Sequence, residues 1–358
     1  MRVLQVCPGS YVSGIGGVSE HVVNVAERLV KRGHEVTVFA TDPGDLAWSE
    51  VVSGVHVRRF GRFAPGAAYF FSGDMALELS RARFDVVHAH GYHAFPMHVA
   101  RLAKCKRFVV TTHFHGAGHS VFRNCLFRLF LPLGGLTLRH ADRIVAVSEF
   151  ERRLLLDKFG LEGGKVVTIP NGLDLKEFEG LKRISRGFTS ILYVGRLESY
   201  KGVQHLVEVL PRLPRDVVLE IVGRGCLRCF LEERARTLGV TARVRFYQNL
   251  PRHELLQMYA DANVFVCLSG HEAYSIAVAE ALVAGTPCIV ADTSALTEWI
   301  DNQSCFGVDF PVRLDELASV LKSVFAGTAD RKAAKKWLGS KIFDWDEAVR
   351  RLEVIYGQ

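Results

Sequence analysis

Short apolar runs alternate with amphipathic helical patterns along almost the whole of this 358-residue chain. Residues 3–7 read as a strand, 14–17 as a glycine loop, 18–32 as a helix and 35–40 as the next strand. Strand, loop, helix and strand in that order make βαβ units, and repeated βαβ units make a parallel sheet with helices on its faces. Further strands are expected at 55–60, 86–88, 108–112, 144–147 and 166–169. Pro170-Asn171-Gly172 breaks the pattern, and the polar stretch 174–189 reads as a linker. A second set of units follows, with strands at 190–194, 217–222, 244–246, 264–268 and 288–291 and helices at 202–213, 226–238, 253–260 and 276–284.

The chain is too long for one compact core and divides naturally into two α/β domains, 1–172 and 173–345. Asp344 is placed to cap a final helix, 346–358, with Glu347 at the capping-box position. Asp344-x-Asp346 is also the sole D-x-D, and a cap explains it better than a metal site does. A net charge of +7 favours anionic partners such as nucleotide phosphates or an anionic bilayer. The opening apolar run is too short for a secretory leader, and no apolar stretch is long enough to span a membrane, so a cytoplasmic protein is expected. The eight cysteines are scattered, several in strand-like runs, which suits small core residues in a reducing compartment. Cys226-Leu227-Arg228-Cys229 has no second pair to complete a zinc site.

Four constellations fall at strand-to-helix junctions, where α/β folds bind ligands. The first is Gly14-Ile15-Gly16-Gly17, whose glycines and following helix N-terminus suit a phosphate, with His21 and Asn24 read as facing solvent. The second is His88-Ala89-His90-Gly91-Tyr92-His93 together with His113-Phe114-His115-Gly116. Its H-x-H spacing suits a metal, but no matching cysteine or carboxylate set accompanies it, and a polar site is the better reading. The third runs from Gly195-Arg196 to Lys201-Gly202, where a guanidinium fork and an ammonium can hold a diphosphate, with Gly223 in a glycine turn after the next strand. The fourth is Glu272 and Glu280, spaced E-x7-E around an apolar helix. Ser275 is placed to cap that helix and, with Ile276, to offer backbone N–H groups to an anion. A carboxylate inside so apolar a helix needs a polar partner, which is a hydroxylated ligand, a buried arginine or a backbone cap.

These pieces, taken in order with Gly33-His34-Glu35-Val36, Ser148-Glu149, Pro170-Asn171-Gly172 and Gly285-Thr286-Pro287, resemble glycosyltransferase family 4 across essentially the whole chain. The resemblance implies a GT-B fold: two Rossmann-like, doubly wound domains with an interdomain cleft, and a last helix that packs back on the first domain. It implies a nucleotide-diphosphate sugar as co-substrate, retention of configuration and no required cofactor or metal. Arg196 and Lys201 match the diphosphate-binding pair, Glu272 the carboxylate near the donor sugar and Glu280 the one on the ribose. Gly16 and Gly17 match the loop over the diphosphate. His115 matches the histidine beside the donor sugar, with His113 as the competing choice.

Two departures bear on the donor. Ala273-Tyr274-Ser275 stands where the family often has Gly-Phe-Gly, which predicts a narrower pocket, and Tyr247-Gln248-Asn249-Leu250 lacks the usual turn glycine. Between Arg101 and Arg143 eight basic residues interleave with apolar ones, and Asp142 is the lone acid. With residues 60–71, this stretch reads as a contact for an anionic membrane, and so points to a lipid-linked or glycan acceptor. A nucleotide-sugar 2-epimerase and a non-catalytic sugar-nucleotide-binding protein are the rival readings. Nucleic acid is not expected, because no recognition helix or RNA-binding aromatic motif is present.

Overall fold

The computed structural model describes residues 1–11, 16–42, 47–63, 71–116, 121–331, 333 and 337–357, and, within 121–130, the backbone alone. The chain forms two compact units, Met1–Gly172 with Phe343–Gln358, and Leu173–Ile342.

The N-terminal unit is built on β1 (Arg2–Cys7), β2 (Glu35–Asp42), β3 (Ser49–Val52), β4 (Val55–Gly61), β5 (Arg83–His90), β6 (Lys104–Thr111), β7 (Arg143–Ala146) and β8 (Val166–Thr168). Their order across the sheet is β3-β4-β2-β1-β5-β6-β7-β8. Every pairing is parallel except β3 with β4. Central strands of such a sheet are covered on both faces, so they read as largely apolar runs, and Val3 to Cys7 are all buried, Gln5 included. The opening helix Gly17–Lys31 lays Val22, Val25, Ala26 and Leu29 on the sheet. The closing helix Trp345–Gly357 packs on the same unit through Trp345, Val349, Leu352 and Ile355, each large apolar side chain contributing about 1.5–3 kcal/mol on burial. Glu353 ties the two helices, 2.5 Å from Arg32 and 2.7 Å from His34. Asp344 caps the closing helix, accepting from the Asp346 N–H at 2.8 Å. Glu347 makes no reciprocal bond there; it pairs outward with Arg350 and Arg351.

The C-terminal unit holds β9 (Thr189–Val194), β10 (Val217–Val222), β11 (Val244–Tyr247), β12 (Val264–Cys267), β13 (Cys288–Ala291) and β14 (Cys305–Val308), in the order β11-β10-β9-β12-β13-β14. All five pairings are parallel. Its core joins Ile191, Leu206, Leu219, Val264 and Ile289.

The polar stretch expected to be a linker is instead bound to this unit. Arg186 reaches Glu220 at 3.0 Å and Asp261 at 2.9 Å, both buried carboxylates. The Ile184 N–H donates to Asp261 at 2.8 Å. Charges that look solvated in sequence are thus the partners of acids on β10 and on the helix Arg252–Asp261.

Candidate active site

Three predicted residues of the C-terminal unit come together beyond the ends of β9 and β12. The Lys201 ammonium donates to Glu272 Oε1 at 2.5 Å, with both side chains largely buried. Burial alone would lower the Lys201 pKa, but the Glu272 carboxylate and Tyr200 outweigh it and raise the value above the ordinary lysine range. Arg196 lies more open, 2.8 Å from Glu198 and 2.5 Å from the Tyr200 hydroxyl, to which it donates. The Tyr200 ring stands 5.2 Å from the Lys201 ammonium and 5.8 Å from the Arg196 guanidinium carbon. Both cations thus rest against one aromatic side chain that sequence reasoning passed over. Its position between Arg196 and Lys201 was visible, but a tyrosine in a basic loop carries no distinctive signal.

Two glycines set the backbone here. Gly202 closes the turn after Lys201 at φ +72°, and a Cβ on it would lie 2.3 Å from the Leu268 carbonyl oxygen. Gly223 follows β10, where a Cβ would lie 1.9 Å from the Gly195 carbonyl oxygen. Only glycine lets the loops after β9 and β10 approach so closely.

Glu272 sits in the loop before the apolar helix Ile276–Val283, its N–H donating to Ser294 Oγ at 3.1 Å. Ser275 precedes that helix with φ +76° and makes no side-chain cap, so the predicted hydroxyl cap is corrected; the residue's left-handed backbone turns the chain into Ile276 instead. Tyr274 is buried, stacks edge-on to Trp299 and donates to the Lys341 carbonyl at 2.8 Å, which anchors the loop in the core. Glu280 is buried in the helix, and Arg252 donates to it at 2.5 Å while also pairing with Glu177 at 2.9 Å. Of the partners the sequence allowed for that carboxylate, the structure supplies the arginine.

In the N-terminal unit Gly16 and Gly17 are exposed at the start of the opening helix, whereas Gly14 and Ile15 lie outside the described residues. His115 stacks on His93, ring centroids 4.6 Å apart at 20°. His113 holds φ +47°, an uncommon backbone for a side chain with a Cβ. A buried carboxylate that the sequence hid, Glu151, accepts from the Thr112 hydroxyl and from the N–H groups of Phe114 and Val147. It therefore fixes the turn that carries His113 and His115. Burial pushes its pKa up to about 7 despite those three donors. His21, expected to face solvent, is buried against Asn171, and its pKa is lowered by burial to about 4. His88 and His90 are buried side by side on β5, and with His113 they too are held well below the usual histidine value by burial.

Two largely parallel α/β units, the second carrying a cation and carboxylate cluster at its strand ends, are what the resemblance to GT-B glycosyltransferases leads one to expect. Comparison with known proteins agrees. Residues 15–177 match the Glycosyltransferase Family 4 profile and residues 181–337 the Glycosyl transferases group 1 profile. A glycogen synthase of Mycobacterium tuberculosis is 30% identical, over 99% of this chain and 94% of that protein. A GDP-mannose:cellobiosyl-diphosphopolyprenol alpha-mannosyltransferase of Xanthomonas oryzae is 30% identical, over 82% of this chain and 79% of its own. In structure the chain is similar to the sucrose-phosphate synthase of Thermosynechococcus elongatus, with a TM-score of 0.81 over 100% of this chain and 99% of that one at 20% identity. The chain belongs to glycosyltransferase family 4, the glycosyl transferases group 1.

Proposed function

We propose that this glycosyltransferase moves a sugar from a nucleoside-diphosphate sugar to an acceptor hydroxyl with retention of anomeric configuration and without a required metal. The observation that carries this reading is the cluster of Arg196, Tyr200, Lys201 and Glu272. As the anomeric bond breaks, negative charge gathers on the leaving diphosphate. Preorganised cations stabilise that charge more in the transition state than in the ground state, because they need not reorganise as it develops. Glu272 holds the Lys201 ammonium in position; with donor bound, the ammonium would turn to the diphosphate and Glu272 to the sugar hydroxyls. Glu272 is not assigned as a nucleophile: the acceptor attacks from the side the diphosphate leaves, and a diphosphate oxygen takes its proton.

Gly16 and Gly17 would offer backbone N–H groups to phosphate, and His115 its imidazole to the donor sugar. Gly223, Ser275 and Ile276 would present backbone to the nucleotide, and Glu280, shared with Arg252, would accept from ribose hydroxyls. The names of the two relatives speak of a glucan and of a polyprenol-diphosphate acceptor, which supports a glycan or lipid-linked acceptor here. Exposed Arg101, Leu102 and Lys104, with the exposed rings of Phe63 and Phe71, would rest on an anionic membrane surface. Phe60, counted in that contact from sequence, is buried in the core against Phe39. Residues 64–70 and the side chains of 121–130 lie outside the described part. No helix among the described residues is long and apolar enough to cross a membrane.

The test is incubation with a panel of nucleoside-diphosphate sugars and hydroxylated acceptors, read by proton NMR. A new glycosidic bond with the donor's own anomeric configuration supports the reading. An inverted linkage, or an epimerised sugar released without any acceptor, refutes it.

A further inference from the structure

His21, His90 and His113 turn one ring nitrogen each into a common spot within the N-terminal unit, all three within 4.8 Å of one another. They arrive from separate elements: the opening helix, the end of β5 and the turn after β6. The converging atoms are His21 Nε2, His90 Nδ1 and His113 Nε2, each buried and without a hydrogen-bond partner among the described residues.

The outer bonds of two of these rings determine what the inner atoms are. His21 Nδ1 lies 2.8 Å from Asn171 Oδ1, and His90 Nε2 lies 2.5 Å from Gln5 Oε1. An amide oxygen only accepts, so both of those ring nitrogens carry the proton. The opposite nitrogens are therefore bare lone pairs on buried atoms, turned toward one spot beside the half-buried His113. Two lone pairs aimed at one buried point need a donor or a cation between them. Gln5 is itself fixed by Tyr356, whose hydroxyl lies 3.2 Å from its amide nitrogen and 2.7 Å from His88 Nδ1. Such outer partners orient imidazoles at metal sites, choosing the tautomer and raising ligand basicity.

We propose that His21, His90 and His113 form a binding site for a zinc-class divalent transition ion, ligated through His21 Nε2, His90 Nδ1 and His113 Nε2. The chemistry of the donor set narrows the ion: imidazole suits zinc, cobalt, nickel or copper, while magnesium and calcium prefer oxygen. Nitrogens bound at about 2.0–2.1 Å around a tetrahedral ion stand roughly 3.3 Å apart, so the triad closes slightly on binding. Three ligands leave a fourth position for water. The site lies wholly in the N-terminal unit, and none of its three ligands is among the residues proposed above to hold the donor; its ion staples the opening helix to β5 and to the turn held by Glu151.

The full chain, stripped with EDTA and titrated with Co2+, tests this. One equivalent should give the intense visible absorption of tetrahedral cobalt, zinc should displace it, and zinc should raise the melting temperature by mass action. His113→Gln should weaken zinc binding at least tenfold, while His140→Gln, an exposed histidine elsewhere, should leave it unchanged. X-ray absorption of the zinc-loaded wild type, which needs no variant to fold, should count three imidazole nitrogens. A folded wild type that shows no saturable cobalt band holds water or nothing at that spot and overturns the proposal. Equal zinc affinity in His113→Gln, or a zinc shell without three imidazoles, also overturns it.

Discussion

Lys201 and Glu272, 71 positions apart in sequence, meet at 2.5 Å beyond the strand ends of the C-terminal unit. A pair this buried does not exist for stability: removing its charges from water costs about as much as their attraction returns. Its value lies in holding an ammonium and a carboxylate ready for a diphosphate and a sugar. Lys201→Ala and Glu272→Ala should each cut turnover by orders of magnitude while circular dichroism and a cooperative melt show the fold intact. Wild-type turnover in either variant removes the assignment.

Tyr200 separates two kinds of support for the cations. Tyr200→Phe removes the hydroxyl that accepts from Arg196 and keeps the ring beneath both charges. Tyr200→Ala removes both. A cation over an aromatic face gains about 0.5–2 kcal/mol, so the alanine variant should bind nucleoside diphosphate some two- to thirtyfold more weakly, and phenylalanine should recover part of that loss. Identical dissociation constants in both variants and wild type would make Tyr200 a bystander.

Gly223→Ala puts a methyl group 1.9 Å from the Gly195 carbonyl oxygen, where only backbone can give way. Overpacking of this kind costs about 1–3 kcal/mol. Urea denaturation should show a loss of that size, and nucleotide binding should fall with it because the loop after β9 carries Arg196. An unchanged midpoint would mean that the two loops are not in contact.

Glu151 and His98 give stability two opposite pH slopes. Folded Glu151 keeps its proton to about pH 7, against 4.5 as a free side chain, so its contribution falls as pH rises between those values. His98, buried between the Thr137 hydroxyl at 3.1 Å and the Tyr92 carbonyl at 2.9 Å, takes a proton only near pH 4 when folded but near 6.5 when unfolded, so its contribution falls as pH drops through that window. The stability difference between wild type and Glu151→Gln should decline with rising pH from 4.5 to 7. The difference for His98→Gln should rise with pH from 4 to 6.5. A flat difference curve for either variant contradicts the assigned environment.

The alternation of strands and helices was legible because parallel central strands, covered on both faces, stay mostly apolar, with only isolated polar residues such as Gln5 and Glu220. Two edge strands were not. Ser49-Glu50-Val51-Val52 gives no strand pattern because almost all of it is exposed, Val51 included, and Cys305-Phe306-Gly307-Val308 carries a glycine that reads as a loop. Arg196, Lys201 and Glu272 could be found because each sits in a short motif at a strand end. Glu151 could not, since Glu149, Arg152 and Arg153 around it make the segment look like a solvated helix face. His21 offered a signal that was passed over: it is four residues before Val25, on the buried stripe of the opening helix. Glu280 was only half legible, because a carboxylate in an apolar helix asks for a partner without saying whether ligand, arginine or backbone supplies it.

Calorimetric titration of UDP, GDP and ADP into wild type and Lys201→Ala tests most directly whether the C-terminal cluster is a diphosphate seat. At least one nucleotide should saturate the wild type, and its affinity should fall tenfold or more, about 1.4 kcal/mol, in the folded variant. Saturation of the variant at the wild-type concentration, or no heat from any of the three nucleotides, would contradict the account.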